Sequence, residues 1–105
     1  MDTLHHARCG GTTDDLRQIA PGLLRSVQIC DAPLPAPETT DALLAEARGG
    51  RLLPGEGALP LAESLRALPD DAVISVELPN ASDERDPLTR ARAIHAATTA
   101  LLKEL

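Results

Sequence analysis

The chain contains no phenylalanine, tyrosine or tryptophan among its 105 residues. Stacking of these rings on bases or sugars is therefore excluded, and the core must be built from leucine, isoleucine, valine and alanine. Each larger aliphatic side chain contributes about 1.5–3 kcal/mol when buried, and alanine contributes much less. Such a chain has a small margin over the conformational entropy lost on folding. We therefore expect it to use a partner surface, either a second copy or a further segment.

Long apolar runs and an excess of basic residues are also absent. No run of about 18 apolar residues occurs, so no membrane-spanning helix is predicted. The first six residues, Met-Asp-Thr-Leu-His-His, lack the basic start and apolar stretch of a signal peptide, and we expect a cytoplasmic protein. The net charge of −6 argues against a nucleic-acid partner.

The two cysteines, Cys9 and Cys30, do not form a CxxC motif. In a chain without a secretion signal, both are expected to be reduced thiols. A catalytic thiol at Cys9 would need a base, which His5 or His6 would supply. The alternative is a small thiol that is buried or half-buried.

Hydrophobic periodicity predicts that strands alternate with helices. Strands are predicted over residues 24–31 and 72–78, and helices from Thr12 or Thr13 to Pro21-Gly22, over 39–48, from Pro60 to Pro69, and from Asp86-Pro87 onwards. The last helix is expected to bury a stripe of Ala91, Ile94, Ala97, Leu101 and Leu105. This order predicts an α/β fold with parallel strands.

Each predicted strand has one apolar face and one face with a polar residue near its carboxyl end. Val27 and Ile29 alternate with Gln28, and Glu77 follows the apolar stretch that begins at Val73. Strands of a doubly wound sheet are apolar on both faces, whereas barrel strands can present polar groups at the barrel mouth. The pattern therefore favours part of a (β/α)8 TIM barrel.

Four residues carry oxygen or imidazole donors where barrel chemistry takes place, namely Asp2, His5, Gln28 and Glu77. A divalent ion such as Mn²⁺, Mg²⁺, Co²⁺ or Zn²⁺ accepts such donors. Two alternatives remain open, since Gln28 could be a hydrogen-bonded interior amide and Asp2 a solvated terminal charge. Glu77 points more strongly to a site, because burying a carboxylate is costly unless it is paired or bound to a metal.

Four segments resemble, in order, the sugar phosphate isomerase/epimerase family, which has the xylose isomerase-like TIM barrel and is related to AP endonuclease 2. Residues 2–12 resemble the aspartate–histidine segment after the fifth strand, and residues 27–32 resemble the sixth strand. Residues 51–57, Arg-Leu-Leu-Pro-Gly-Glu-Gly, resemble an R-x-x-P-G-x-G loop at the seventh position. Residues 74–79 resemble the eighth strand.

The resemblance implies that residues 1–105 form the C-terminal half of such a barrel domain. It implies that Asp2, Gln28 and Glu77 ligate one divalent ion, together with a glutamate from the fourth strand. It also implies that His5 contacts the oxygens of the substrate and that Arg51 binds a hydroxyl, carboxylate or phosphate group. Glu77 would be one of two catalytic glutamates that exchange a proton beside the carbonyl of a sugar, through a metal-stabilised enediolate.

The resemblance leaves three functions open. The first is a metal-dependent sugar or sugar phosphate isomerase or epimerase that obtains the other half of its barrel from a separate polypeptide or by self-association. The second is a 3-dehydroshikimate dehydratase-like lyase, because Gln28 stands where ketose epimerases have histidine. The third is a truncated, non-catalytic half-barrel. A DNA-repair role is not expected, because residues 51–54 contain no histidine.

Overall fold

Helices and two parallel strands alternate along the chain in the computed structural model, which describes residues 1–20 and 22–105. In these residues the elements are α1 (Thr3–Arg8), α2 (Thr13–Arg17), β1 (Ser26–Ile29), α3 (Thr40–Gly49), α4 (Leu61–Arg66), β2 (Val73–Val76) and α5 (Pro87–Leu102). The strands pair in parallel, which confirms the predicted α/β class. Among these helices, none combines the length and the apolar character that a bilayer crossing needs.

The two strands are direct neighbours in the sheet. Val27 pairs with Ile74, and Gln28 pairs with Ser75. In the described part of the chain no strand lies between them, whereas the resemblance places a seventh position between the sixth and eighth strands. Residues 51–57 form a loop, as predicted, and isolated antiparallel bridges join Leu52 to Asp31 and Gly50 to Asn80.

The edge of β1 that faces away from β2 is covered by the first two residues. Asp2 forms an isolated parallel bridge with Gln28. The amide of Gln28 donates to the carbonyl of Met1 at 2.8 Å, and the amino group of Met1 donates to the carbonyl of Ser26 at 3.0 Å. Three parallel chain segments therefore lie side by side, in the order residues 1–2, β1 and β2.

The core lies on one face of this sheet and is aliphatic, as the absence of aromatic residues requires. Val27 and Ile29 are completely buried on that face, and Ile74 and Val76 are half-buried there. The other buried leucines that pack with them are Leu4, Leu24, Leu53, Leu59, Leu61, Leu65, Leu78 and Leu101. The opposite face, which carries Gln28 and Ser75, is exposed.

Side-chain caps mark the starts of three helices that the sequence analysis predicted. Thr12 and Asp15 form a reciprocal capping box at the start of α2, and Thr39 accepts the amide of Ala42 at the start of α3. Asp86 accepts two amides at the start of α5, with Pro87 in the first turn. The predicted starts of these helices are confirmed. α2 itself ends at Arg17, and the predicted end at Pro21-Gly22 lies partly outside the described residues.

The predicted apolar stripe of α5 is only partly correct. Leu101 is buried, and Ile94 and Ala97 are half-buried against the core. Ala91 is exposed. Leu105 is 49% exposed, because α5 ends at Leu102 and Leu105 is no longer on the helix.

Candidate functional site

The three predicted ligand residues share one face of the sheet. Asp2 is bridged to Gln28, and Gln28 is paired with Ser75. Residues that are paired across a sheet face the same side, as do alternate residues along a strand. Glu77 lies two residues after Ser75, so it faces the same side as Gln28, away from the core.

The side chains of Gln28 and Glu77 have room for a ligand. Gln28 is exposed and Glu77 is half-buried. The amide of Glu77 donates to the carbonyl of Ile29 at 3.1 Å, which holds its backbone beside the end of β1. Within residues 1–20 and 22–105, neither side chain forms a hydrogen bond or an ion pair. An amide oxygen and a carboxylate therefore remain available on this face.

Asp2 begins α1, a helix that the sequence analysis did not predict. Its Oδ1 accepts the amide of His5 at 3.1 Å, which makes Asp2 the N-cap. Asp2 precedes Thr3 and Leu4, both of which are buried. The signal in the sequence was an N-cap aspartate, but the short segment contains too few apolar residues to show helical periodicity.

Arg51 is the centre of the site. It is a buried residue whose side chain is only 4% exposed, and its Nη1 donates to Asp2 Oδ2 at 2.7 Å. Its Nε donates to the carbonyl of Ala47 at 2.9 Å. Nη1 also lies 3.4 Å from the carbonyl oxygen of Glu77. Arg51 therefore neutralises Asp2 and connects α1 to the end of β2.

The main chain of Arg51 is held by the residues that follow β2. Its amide donates to the carbonyl of Pro79 at 3.2 Å. Its carbonyl accepts a hydrogen bond from the Asn80 side-chain amide at 3.0 Å. Asn80 was not among the predicted site residues, because its sequence position after a strand predicts only a turn.

His5 lies next to the same guanidinium group. His5 Nε2 is 3.4 Å from Arg51 Nη2. Because arginine has only donors, Arg51 is the donor and His5 Nε2 the acceptor where this contact is a hydrogen bond. His5 is exposed, so its ring can also contact a ligand. The structure thus brings Asp2, His5 and Arg51 into direct contact.

The pKa of the Asp2 carboxyl group is lowered by these neighbours. Burial acts to raise it, but the hydrogen bond from Arg51, the amide of His5 and the charge of Arg51 together outweigh burial. Asp2 is therefore ionised over a wide pH range.

Cys30 lies inside this cluster and Cys9 lies outside it. Cys30 is completely buried, and burial raises the pKa of its thiol although the charge of Arg51 acts against this. Cys9 is exposed, and His6 Nε2 contacts the carbonyl of Thr12 at 3.0 Å. In the described residues neither His5 nor His6 is hydrogen-bonded to Cys9, so the geometry does not support a catalytic thiol.

Asp31 organises the loop that carries Arg51 and was missed by the sequence analysis. Its Oδ1 accepts the amides of Ala32 and Leu59 at 2.9 and 3.0 Å, and its Oδ2 accepts the amide of Gly55 at 2.9 Å. A Cβ atom at Gly57 would lie 2.5 Å from the carbonyl oxygen of Ala32. Glycine is therefore required for the close approach of the loop to Asp31.

The side chains on the shared face carry the type of donor atom that divalent cations bind. Asp2, Gln28 and Glu77 offer oxygen atoms, and metal-ligating carboxylates commonly accept outer hydrogen bonds of the kind that Arg51 donates to Asp2. The set is nevertheless incomplete. In residues 1–20 and 22–105, no three side chains of His, Cys, Asp or Glu are grouped closely enough to hold a metal.

Comparison with known proteins shows which fold this chain resembles. No protein-family model matches the chain, and no characterised protein matches it in sequence. The chain is similar to a solved structure described as the 1.8 Å crystal structure of IOLI protein with a binding zinc atom. The TM-score is 0.79 at 20% sequence identity, and the match covers 99% of this chain and 37% of that chain. The IOLI protein is a TIM barrel.

This chain has the fold of part of that barrel. An identity of 20% shows the fold alone, and the chain spans 37% of the length of its structural neighbour. The parallel pairing of β1 and β2 agrees with the arrangement of strands in a barrel.

Proposed function

We propose that this chain is the C-terminal part of a divalent-metal-dependent enzyme of the sugar phosphate isomerase/epimerase family. The observation that carries the proposal is the common sheet face of Asp2, Gln28 and Glu77, in a chain that folds like part of a barrel. The IOLI structure contains a zinc atom, which supports a divalent metal in this chain too. A fourth ligand would come from another part of the complete barrel or from a second copy.

The residues of this chain have distinct roles in the proposed reaction. A bound divalent cation would polarise the carbonyl group of a sugar-like substrate. Glu77 would take a proton from the carbon beside that carbonyl, or deliver one to it, and the second glutamate, from another part of the complete barrel, would act on the opposite face. His5 would bind a substrate oxygen from its exposed position. Arg51 would keep Asp2 ionised and oriented, and its place beside His5 would bring a positive charge close to that substrate oxygen.

Metal binding can be tested on the full chain without any substrate. We expect Mn²⁺ to bind at micromolar concentration by electron paramagnetic resonance titration. Glu77→Gln and Gln28→Ala should each weaken binding by about tenfold or more. Asp2→Asn should weaken it too, while asparagine preserves the cap of α1. Glu63→Gln, an exposed change on α4, is the control, and equal affinity in all four variants contradicts the proposed site.

Turnover can be tested by deuterium exchange. In D₂O with Mn²⁺, a ketose should gain deuterium at the carbon beside its carbonyl and form its C3 epimer or the related aldose. Glu77→Gln should abolish this exchange. Proton NMR detects both changes, and a full chain that binds metal but exchanges no sugar proton argues against the isomerase chemistry.

A 3-dehydroshikimate dehydratase-like lyase is the second candidate. It is favoured by the exposed amide of Gln28, where the family's ketose epimerases have histidine. This lyase would form protocatechuate from 3-dehydroshikimate, which is followed by its ultraviolet absorbance. Epimer formation without that product rejects the lyase.

A further inference from the structure

Residues 32–51, called here the cover segment, leave the sheet and return to it at one place. Asp31 and Leu52 pair in an antiparallel bridge, with both amide-to-carbonyl distances at 2.9 Å. The segment contains α3 and ends at Arg51. Its two ends are therefore joined at a closed base, and hydrogen bonds from the amide of Ala81 to Gly49 and from the amide of Arg51 to Pro79 also hold its last residues.

Ala32, the first residue of the cover segment, is buried in the core, but the rest of the segment has little apolar attachment to the protein. No residue of α3 is buried. Leu34 is 62% exposed and Leu44 is 42% exposed. Ala47 is one of the residues that packs against the core, and it is only half-buried. Hydrophobic burial contributes too little to explain how α3 keeps its position.

A polar contact with α1 takes the place of that burial. Arg8 donates to Glu46 in a two-pronged pair, with Nε to Oε2 at 2.7 Å and Nη2 to Oε1 at 2.6 Å. The two side chains are only 8% and 10% exposed. Arg8 also donates to the carbonyls of Pro33 and Leu34. One arginine therefore ties both the start of the cover segment and α3 to α1.

The same segment positions Arg51. The carbonyl of Ala47, next to Glu46, accepts the Nε–H of Arg51 at 2.9 Å, and Arg51 donates to Asp2 at the start of α1. These hydrogen bonds connect the cover segment to α1 at two points. Arg8, at the end of α1, binds Glu46, and Asp2, just before its start, binds Arg51. Moving α3 away from Arg8 would remove the carbonyl that orients the guanidinium group.

We propose that the Arg8–Glu46 pair is a latch that holds the cover segment closed and that Arg8 and Glu46 are positioning residues for Arg51. Opening the latch releases residues 33–48 together, while hydrogen bonds to residues 79–81 still hold residues 49–51. It also removes the Ala47 carbonyl that orients the Nε–H of Arg51. The role of Arg51 at a substrate site rests on the proposed function. The latch itself depends only on the contacts described above.

Hydrogen exchange of the full chain tests the latch. Glu46→Gln should speed amide exchange in residues 40–48 by about tenfold or more, with less than about a twofold change in β1 and α5. Glu38→Gln removes a carboxylate from the same segment at an exposed site and should change nothing. Arg8→Lys keeps the charge but loses the two-pronged geometry, so it should give an intermediate effect. It provides a second test of the latch if the Glu46→Gln chain does not fold.

The Nε–H signal of Arg51 in nitrogen-15 NMR shows whether the Arg8–Glu46 pair controls the orientation of the Arg51 side chain. It should be resolved and slowly exchanging in the parent chain and in Glu38→Gln, and it should move to the position of free arginines in Glu46→Gln. Uniformly faster exchange along the whole chain, or an unchanged Arg51 signal, overturns the latch. Absence of Mn²⁺ binding by the parent chain would instead reject the proposed function and leave the exchange result standing.

Discussion

Arg51 Nη1 lies 2.7 Å from Asp2 Oδ2, although 49 residues separate the two in the chain. The pair joins the N-cap of α1 to the loop that follows α3. Both side chains are nearly buried, with 4% and 9% of their surfaces exposed. Breaking such a pair leaves an uncompensated charge, so the two residues depend on each other.

Arg51→Met should destabilise the fold by about 3 kcal/mol, because the Asp2 carboxylate would stay nearly buried without its partner. Urea denaturation monitored by circular dichroism measures this change. Arg51→Lys is the matched control, and it should recover part of the loss since one donor and the charge remain. A Met variant as stable as the parent chain would show that solvent replaces the guanidinium at no cost.

Acid should weaken the fold through the carboxylates that cap helices. Hydrogen bonds from Thr89 and from the amide of Leu88 lower the pKa of Asp86. A group with a lowered folded-state pKa stabilises the protein above its unfolded pKa, and this stabilisation is lost as the pH falls through the folded pKa. We therefore expect the urea midpoint to fall between pH of about 5 and 2.

Asp86→Asn should reduce this acid dependence, since asparagine can cap α5 without titrating. Asp71→Asn, at an exposed turn before β2, is the control and should leave the slope unchanged. If Asp86→Asn and Asp71→Asn give the same pH profile, the capping carboxylate is not responsible for the acid loss.

Gly57→Ala should destabilise the chain by about 2–3 kcal/mol, because the added methyl group meets the backbone of Ala32 and the carboxylate of Asp31. Gly10→Ala is the matched control. Gly10 has φ +77° but nothing lies within 4 Å of its added Cβ, so the cost should be the backbone strain of about 1 kcal/mol alone. Thermal unfolding of both variants gives the comparison, and equal losses would exclude a packing requirement at Gly57.

Iodoacetamide should modify one thiol in the native protein and two after unfolding. Cys9 is exposed, whereas Cys30 is buried and has a raised pKa, which lowers the fraction of reactive thiolate. Mass spectrometry of the labelled chain at neutral pH counts the modified residues and locates them by peptide. Rapid native labelling of Cys30 would mean that the region around Arg51 opens readily.

Part of the fold follows from local patterns. The alternation around Val27 and Ile29 correctly predicted a strand with one buried face. Thr12, Thr39 and Asp86 correctly predicted helix starts, because a cap acts within three residues of itself. α1 was missed, since its six residues are too few for a periodic apolar pattern.

The candidate site was predicted in its residues but not in its contacts. Asp2, His5 and Arg51 were each selected, yet the sequence offered no reason to pair them. Arg51 is held by the carbonyl of Ala47 and by the side-chain amide of Asn80. Neither residue stands in a sequence motif that would identify it as a partner of Arg51. The metal-binding roles of Asp2, Gln28 and Glu77 stay predictions.

The sequence by itself determined the aliphatic core, the helix caps and the alternation of strands and helices, because each depends on neighbours within a few positions. Only the tertiary structure decided that β1 and β2 are adjacent, that Asp31 organises the loop, and that Arg51 is bound to Asp2. These contacts join residues about 20 to 50 positions apart, and such long-range pairing depends on how the whole chain packs.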